Sequence, residues 1–378
     1  MRKHYLLKST FYFTASFLLF FIFSCKKDKK TSSINPQPVK IAMYEVADSF
    51  IYKQLQIPVA MVGTDSVDYD MVFDTGSGGM VLDAAGLLPS SMITGSGFNF
   101  SGDSIVVNGI TITSQTAQVG YGQGIYSSTA YGNLAYAPIT IGDENGKVVI
   151  KRVPFFLYYK ATDANGNVFP AHDFDVFGVN EGFDISFNNG VNITSPFSYY
   201  SPGTGLNRGF KMAAIGSTQA DIGYNYYKYL PGEITLGLTT DDLTSSSGFI
   251  LTQLTLNPGN SKGYYPGYFP MITSTVNYSS QTYTSFVLFD SGTNAANFLE
   301  DPTYVGNNTT RLGNGSQVSI QTASGFTYNF TNSSNSIPTF AENPSFSGGL
   351  ASIIGIDFFK NNQFLLDYAD HKLGLKAN

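Results

Sequence analysis

One short motif occurs twice in the chain, each time in the same hydrophobic setting. "MVFDTGSGGMVL" (71–82) places Asp74 between β-type apolar residues, and "SFVLFDSGTNAANFL" (285–299) repeats the arrangement around Asp290. In both copies an apolar run ends at the acid, and small residues and then apolar residues follow it. The separation is long enough to put one acid in each of two lobes.

A single copy of such a motif would be read as a tight turn, since Asp and Gly are ordinary turn residues. Two copies in matching frames favour a pair of facing carboxylates. Such a pair shares one proton, because like charges at contact distance repel. The ionised member can take a proton from water while the protonated member donates to a peptide carbonyl. The pattern predicts general acid–base hydrolysis by Asp74 and Asp290, with an acid-side optimum and no metal or cofactor.

The residues that follow each acid suit this chemistry. The glycines let the two loops approach closely and offer backbone N–H groups to the carboxylates. The hydroxyls three positions after the acids can hold the outer carboxylate oxygens, and those one position after can reach the opposite loop. The expected supporting residues are Thr75, Gly76, Ser77, Ser291, Gly292 and Thr293.

The two motifs resemble those of the pepsin-like aspartic peptidases, and the resemblance extends over nearly all of the chain beyond residue 40. "VGYGQGIYSSTAYGNLAYAPITIG" (119–142) is similar to the flap hairpin of that family, so Tyr121 falls on the flap tyrosine, with Gly122 beside it. "FDVFGV" (174–179) and "SIIGIDFFKNNQFLLDYADHKLGL" (352–375) resemble the apolar-apolar-Gly segments that follow each acid.

This resemblance implies an all-β, bilobal fold with a cleft and a flap hairpin between two barrel-like lobes. It implies that Gly178 and Gly355 let their segments pass beneath the catalytic loops. The expected N-terminal lobe is 41–238 and the C-terminal lobe 239–378. The implied activity is that of an endopeptidase with a polypeptide substrate, acting as a monomer.

The chain departs from the family at Val81, where a tryptophan that partners the flap tyrosine is common. There is no Trp in the sequence. This departure supports an alternative reading, a catalytically weak or inactive protein of the same fold that binds a peptide or glycan in its cleft. A surface adhesin is a third reading, suggested only by the Gly, Ser, Thr and Asn content.

Composition agrees with a β-rich extracytoplasmic protein, because only 13% of residues are charged and 15% are aromatic. Strand-type runs such as "SIVVNGITIT" (104–113) and "VVIKRVPFFLYY" (148–159) alternate with turn signals such as "DENGK" (143–147). The net charge of −6 argues against a nucleic-acid surface.

The N-terminus reads as an export signal. Basic residues precede the apolar run "FYFTASFLLFFIF" (11–23), which is short for a membrane span. "IFSC" resembles a bacterial lipobox, and Cys25 is the only cysteine. We expect a signal peptide over 1–24, lipidation of Cys25, a flexible tether over 25–40 and anchoring to a bacterial membrane, in the periplasm or at the cell surface.

Other catalytic interpretations have less support. The three histidines, His4, His172 and His371, exclude a multi-histidine metal site, and none lies in a recognisable serine-nucleophile context. We expect the last two to be turn or surface residues beside Asp173 and Asp370. A glycosidase could also use two carboxylates, but such an enzyme does not need two copies of an Asp-[Thr/Ser]-Gly motif, each preceded by an apolar strand.

Overall fold

The computed structural model describes residues 36–47, 53–122, 127–183, 185–217, 225–258, 266–305, 309–334 and 336–378. The expected signal peptide, Cys25 and the tether as far as residue 35 lie outside these residues. None of the helices in the described part is both long and apolar enough to cross a membrane.

The described residues are mostly β-strand. In chain order the strands are β1 (Val39–Ala47), β2 (Gln54–Val62), β3 (Asp65–Asp74), β4 (Gly78–Asp83), β5 (Ile93–Thr94), β6 (Gly97–Phe98), β7 (Ser104–Val107), β8 (Ile110–Tyr121), β9 (Ser128–Asp143), β10 (Gly146–Asp163), β11 (Val176–Val179), β12 (Glu181–Gly182), β13 (Ile185–Ser186), β14 (Asn192–Ile193), β15 (Asn207–Met212), β16 (Tyr226–Leu238), β17 (Ile250–Gln253), β18 (Gly267–Tyr268), β19 (Ile272–Tyr278), β20 (Gln281–Phe289), β21 (Asn297–Glu300), β22 (Thr310–Arg311), β23 (Gln317–Thr322), β24 (Thr327–Thr331), β25 (Thr339–Glu342), β26 (Ser352–Ile354), β27 (Asn362–Asp367) and β28 (Lys372–Ala377). A single turn of α-helix, α1 (Pro344–Ser347), and short 3₁₀ turns complete the described part, which confirms the all-β prediction.

Two large sheets carry the fold. The first has the order β17-β28-β27-β15-β16-β1-β2-β3-β11-β4-β10-β9-β8-β7, and the second has the order β22-β25-β21-β26-β20-β19-β23-β24. The last two strands of the chain belong to the second half of the sequence but join the first sheet, where β27 pairs with β15 and β28 pairs with β27. The first sheet therefore takes strands from both predicted lobes, while the boundary at residue 238 stays a prediction.

Turn chemistry explains the local hairpins. Asn108 and Gly109 join β7 to β8 with positive φ angles of 50° and 73°, as a two-residue hairpin of the primed type requires. In the predicted "DENGK" turn the Asp143 carboxylate accepts the N–H of Asn145 at 2.8 Å, and β9 turns directly into β10. That hairpin prediction is confirmed.

Phenylalanines fix the two strands that end at the acids. Phe73, one residue before Asp74, is fully buried and lies edge-on to Phe210 with ring centroids 5.8 Å apart. Phe289, one residue before Asp290, is fully buried against Phe358 at 4.0 Å. Close packing of this kind leaves little freedom to the strand ends, so each acid sits on a rigid support.

Candidate active site

Asp74 is the last residue of β3, and that strand end is held on two sides. Strand β11 runs parallel to β3, with Gly178 opposite Asp74, and antiparallel to β4, with the same Gly178 opposite Gly79. The chain thus leaves β3, turns at the acid and continues into β4, and β11 lies between these two strands. A carboxylate at such a position cannot move without disturbing three strands.

Asp290 occupies the matching position in the second half. It directly follows β20, and β26 runs parallel to β20 with Ile354 opposite Phe289. The Asp290 N–H donates to the Ile354 carbonyl at 2.9 Å. The repeated sequence motif therefore corresponds to a repeated local structure.

The two loops approach each other so closely that only glycine fits at the contact. A Cβ atom on Gly76 would lie 2.5 Å from Cγ of Asp290, and one on Gly292 would lie 2.7 Å from Cγ of Asp74. Each glycine faces the carboxyl group of the other loop. The structure thereby brings Asp74 and Asp290 together, as a shared site requires.

Hydroxyl groups cross between the loops and bind them reciprocally. The Thr75 hydroxyl donates to the Phe289 carbonyl at 2.8 Å, and the Ser291 hydroxyl donates to the Phe73 carbonyl at 2.7 Å. Each hydroxyl oxygen also accepts the backbone N–H of the other residue, at 3.1 Å for Thr75 N–H and 2.9 Å for Ser291 N–H. All four bonds are buried, so they fix the spacing of the two strand ends.

Each carboxylate is oriented by its own loop. Oδ1 of Asp74 accepts the N–H of Gly76 at 2.7 Å, and Oδ2 accepts the hydroxyl of Ser77 at 2.5 Å. Around Asp290 the same bonds come from Gly292 N–H at 2.8 Å and from the Thr293 hydroxyl at 2.6 Å. The six supporting residues expected from the sequence thus surround the pair with approximate twofold symmetry.

The electrostatics of the site favour a shared proton. Burial raises the pKa of Asp74 well above its ordinary range, and both the charge of Asp290 and a hydrogen bond between the two carboxyl groups raise it further. The bonds from Ser77 and Gly76 act in the opposite direction but do not cancel this effect. The pair consequently keeps a proton at a pH where a solvated aspartate would have lost it.

The segments beneath the loops pack as closely as expected. A Cβ on Gly178 would lie 2.8 Å from the carbonyl oxygen and the hydroxyl of Ser77, and one on Gly355 would lie 2.4 Å from the Thr293 carbonyl. The Ile356 N–H donates to that same carbonyl at 2.9 Å. Both glycines are needed because the backbone of one segment lies directly under the backbone of the other.

The architecture was compared with those of known proteins. No protein-family model matches the chain, and no curated protein matches it in sequence. Among solved structures it is similar to the crystal structure of the aspartic proteinase from Irpex lacteus, with 16% identity and a TM-score of 0.52, over 89% of this chain and 97% of that one. The fold is pepsin-like. At this identity the likeness shows the fold, and catalysis has to be argued from the site itself.

The sequence predicts a flap at the hairpin of β8 and β9, which pair antiparallel with Tyr121 opposite Ser128. Tyr121 ends β8, Gly122 has a φ of +73°, and residues 123–126 lie outside the described residues. The ring of Tyr121 lies edge-on to Phe174 at 5.4 Å, in an apolar cluster that also contains buried Val81. Phe174 therefore supplies the aromatic contact for Tyr121. The sequence offered no signal for it, because the contact joins segments that are distant in the chain.

The two histidines of the described chain lie in turns, as predicted, with φ angles of +65° at His172 and +53° at His371. Their side chains do not bond the acids beside them. Nδ1 of His172 lies 2.7 Å from Asp175, and Nδ1 of His371 lies 2.9 Å from Glu181, which is far away in the sequence. Both rings are partly buried, with 27% and 34% of the side chain exposed.

Proposed function

We propose that the chain is an aspartic endopeptidase. Asp74 and Asp290 together activate the water molecule that hydrolyses a peptide bond of the substrate. The observation that carries the proposal is the reciprocal packing of the two loops, in which each glycine leaves room only for the carboxyl group opposite it. The fold of the protein and the raised pKa of Asp74 support it. A structural role alone does not explain this arrangement, since two buried carboxyl groups that face each other lose solvation and repel when both are ionised.

The reaction follows from one proton shared by two carboxyl groups. The ionised carboxylate removes a proton from a water molecule held between the acids, and the water oxygen attacks the carbonyl carbon of the peptide. The protonated carboxyl group donates to the carbonyl oxygen as charge develops there. In the second step the carboxyl group that took the proton from water donates it to the amide nitrogen, the other carboxylate takes a proton from a hydroxyl of the tetrahedral intermediate, and the C–N bond breaks to release the amine and the new carboxyl group. The shared proton returns to the pair.

The test is cleavage of an unfolded protein between pH 3 and pH 7, with and without pepstatin. We expect cleavage on the acid side, inhibition by pepstatin, and a loss of at least about 10³-fold in kcat for Asp290→Asn. Asp103→Asn is the control, because Asp103 is an exposed acid just before β7, the edge strand of the first sheet. Full activity of Asp290→Asn, with the circular dichroism spectrum unchanged, would contradict the two-acid mechanism.

A second candidate is a binding protein that uses the cleft of this fold for a peptide or glycan. Val81 favours it, because this buried aliphatic residue stands where the family commonly has tryptophan. Binding of pepstatin or of a peptide without any cleavage from pH 3 to pH 7 would support this candidate over the peptidase.

We further propose that the folded part is extracytoplasmic and held at a bacterial membrane by lipid on Cys25, and that it acts there as a monomer on polypeptides. The lone cysteine within "IFSC" supports the anchor. Metabolic labelling with a fatty-acid analogue tests it. Label should appear on the full chain and be lost in Cys25→Ser, and equal labelling of both chains would rule out this attachment.

A further inference from the structure

The loop that carries Asp74 is backed by the short segment that continues from β11. The Asn180 N–H donates to the Ser77 carbonyl at 2.9 Å. A Cβ on Gly78 would lie 2.3 Å from the Gly182 carbonyl oxygen, and the Gly182 N–H donates to the Asn180 side chain at 2.7 Å. Residues 180–182 therefore set the position of the backbone just after Asp74.

Residues from the second half of the chain hold this segment in turn. Strand β12 pairs with β18, with Glu181 opposite Tyr268 and Gly182 opposite Gly267. The Phe183 N–H donates to the Pro266 carbonyl at 3.0 Å. The support of the first catalytic loop is thus fastened to the part of the chain that leads into the second.

Side chains complete the connection. Nδ1 of His371, in the turn between β27 and β28, lies 2.9 Å from the Glu181 carboxylate. The His371 ring stacks on Tyr268 with centroids 3.7 Å apart and planes 3° from parallel. In the same hairpin the Tyr368 hydroxyl donates to the Val179 carbonyl at 2.7 Å. Three separate stretches of chain therefore meet around Glu181.

We propose that Glu181, Tyr268 and His371 form a positioning cluster that holds the loop of Asp74 in register with the second half of the molecule. None of the three contacts the carboxyl pair. They act through residues 180–182, whose backbone lies against Ser77 and Gly78. The effect of the cluster on turnover rests on the proposed function, whereas its effect on the loop does not.

The charges around Glu181 make the cluster sensitive to pH. The side chain faces His371 from the β27–β28 turn, Asp367 from β27 and Arg208 from β15. Burial is the main cause that raises the pKa of Glu181 to about 7, Asp367 raises it too, and His371 and Arg208 oppose the rise. The charge of Asp370 raises the pKa of the neighbouring Asp367, and that of Lys372 lowers it. Glu181 is accordingly neutral in acid, and because burial disfavours its charged form, ionisation as the pH passes through neutrality weakens the hold of the cluster on the loop.

Two variants and a control test the cluster. His371→Asn keeps a residue that tolerates positive φ but removes the stacked ring, and Glu181→Gln keeps the shape of the side chain but not its charge. Lys372→Gln is the control, because this partly buried side chain at the start of β28 bonds the exposed Asp370, at 3.1 Å, and not Glu181 or His371. We expect His371→Asn to lower kcat about 10-fold or more with KM changed less than about 3-fold, since a small displacement of a reacting group is costly. Lys372→Gln should match the wild type.

Hydrogen exchange gives a readout that does not depend on activity. In His371→Asn the amides of 74–82 and 176–183 should exchange faster than in the wild type, while those of 104–121 stay unchanged. Glu181→Gln should match the wild type below about pH 5, where Glu181 is protonated, and be better protected than the wild type above about pH 7, where ionisation of the buried carboxyl group weakens the wild-type cluster. The wild-type difference between these pH values should disappear in the variant.

The outcomes separate the two proposals. If the wild type cleaves no peptide but the exchange pattern changes as described, the function is wrong and the cluster stands. If the wild type is a peptidase and His371→Asn leaves both kcat and the exchange of 74–82 unaltered, the cluster is overturned and the function stands. Faster exchange confined to 181 and 371 and their neighbours would show a local structural contact only, which also overturns the positioning role.

Discussion

Gly76 faces the carboxyl group of Asp290 with no room for a side chain between them. A Cβ atom at this position would lie 2.5 Å from Cγ and 2.6 Å from Oδ1 of Asp290, well inside van der Waals contact. The clash cannot be relieved by rotating a flexible side-chain tip, because Asp290 is itself fixed by Gly292 and Thr293. Separation of the two acids is therefore set by the absence of one methyl group on each loop.

Gly76→Ala should consequently lower kcat for peptide cleavage on the order of 10²-fold while the protein still folds. The added methyl group displaces Asp290, and displacement of about 1 Å is enough to cost on the order of 10²-fold in rate. The measurement is kcat for an unfolded substrate, with thermal unfolding as a check on folding. Gly95→Ala is the matched control, since nothing lies within 4 Å of its added Cβ. Similar rates for the two variants would show that the close approach has no role in turnover.

Ser291→Ala should loosen the reciprocal bonds between the loops. It removes the donor to the Phe73 carbonyl and the acceptor for Thr75 N–H, which leaves both buried groups without that partner. We expect a loss of about 1–3 kcal/mol in the free energy of unfolding, measured by urea denaturation.

Thr75→Val allows a double-mutant cycle with Ser291→Ala. Because the two hydroxyls belong to one network, the effects of the two substitutions should fall short of additive by at least about 0.5 kcal/mol. Additive losses would mean that the two crossing hydroxyls act independently of each other.

Asp74→Asn should reduce the dependence of stability on pH. The pKa of Asp74 is raised in the folded protein, chiefly by burial, so the folded state binds a proton more tightly than the unfolded state does. Stability from this proton is fully present below the unfolded pKa and is lost as the pH rises through the folded pKa. The variant should therefore match the wild type near pH 3 and be more stable near pH 7. Urea midpoints at both pH values measure this, and an equal change of midpoint at both would contradict the assignment.

Glu300 and Glu342 form a second pair of acids, in the C-terminal half of the chain. We expect this pair to cause a separate loss of stability towards neutral pH. Burial raises the pKa of Glu300 to about 7, and a hydrogen bond and the charge of Glu342 add to the rise, whereas the Ser347 hydroxyl opposes it. Glu300 is 4% exposed. With the folded pKa above the unfolded one, stability is lost between about pH 4.5 and pH 7.

Glu300→Gln, which mimics the protonated form, should restore up to about 3 kcal/mol of stability above pH 7 and little below pH 4. Urea denaturation at pH 4 and pH 8 is the measurement. Glu144→Gln, at an exposed acid in a hairpin turn, should change neither value. A Glu300→Gln protein that loses stability at pH 8 would show that the charged form is the favoured one.

Phe174→Ala should weaken the support of Tyr121. Phe174 is 7% exposed and also contacts Tyr158 and Phe169, so its removal leaves a gap beneath the end of β8. We expect kcat/KM to fall about 10-fold and stability to fall by about 3 kcal/mol. Phe174→Tyr should restore most of the activity by keeping a ring there.

Phe298→Ala is a control for the loss of an aromatic residue, since Phe298 stacks on Phe340 in the other large sheet. It should lower stability with less effect on kcat/KM. Equal kinetic losses in both variants would remove the case for a flap support at Phe174.

The carboxyl pair could be predicted from the sequence because most of its contacts are local. The bonds from Gly76 N–H and the Ser77 hydroxyl to Asp74 span only two and three residues, and so do those around Asp290. A motif of four residues therefore specifies the orientation of each carboxylate, and its repetition indicates a partner. The strands and their turns follow in the same way from residue spacing, as the hairpin at Asp143 illustrates.

Other features depend on which distant segments come together. Phe174 reaches Tyr121, and Glu181 reaches His371, only because the chain returns along β11 and β28 to strands formed much earlier. No spacing rule encodes such contacts, since each partner alone resembles an ordinary buried aromatic or turn residue. The sequence by itself determined the two acids, their supporting residues and the all-β class. The tertiary structure decided what steadies them, because that depends on pairing between strands that local residue preferences do not specify.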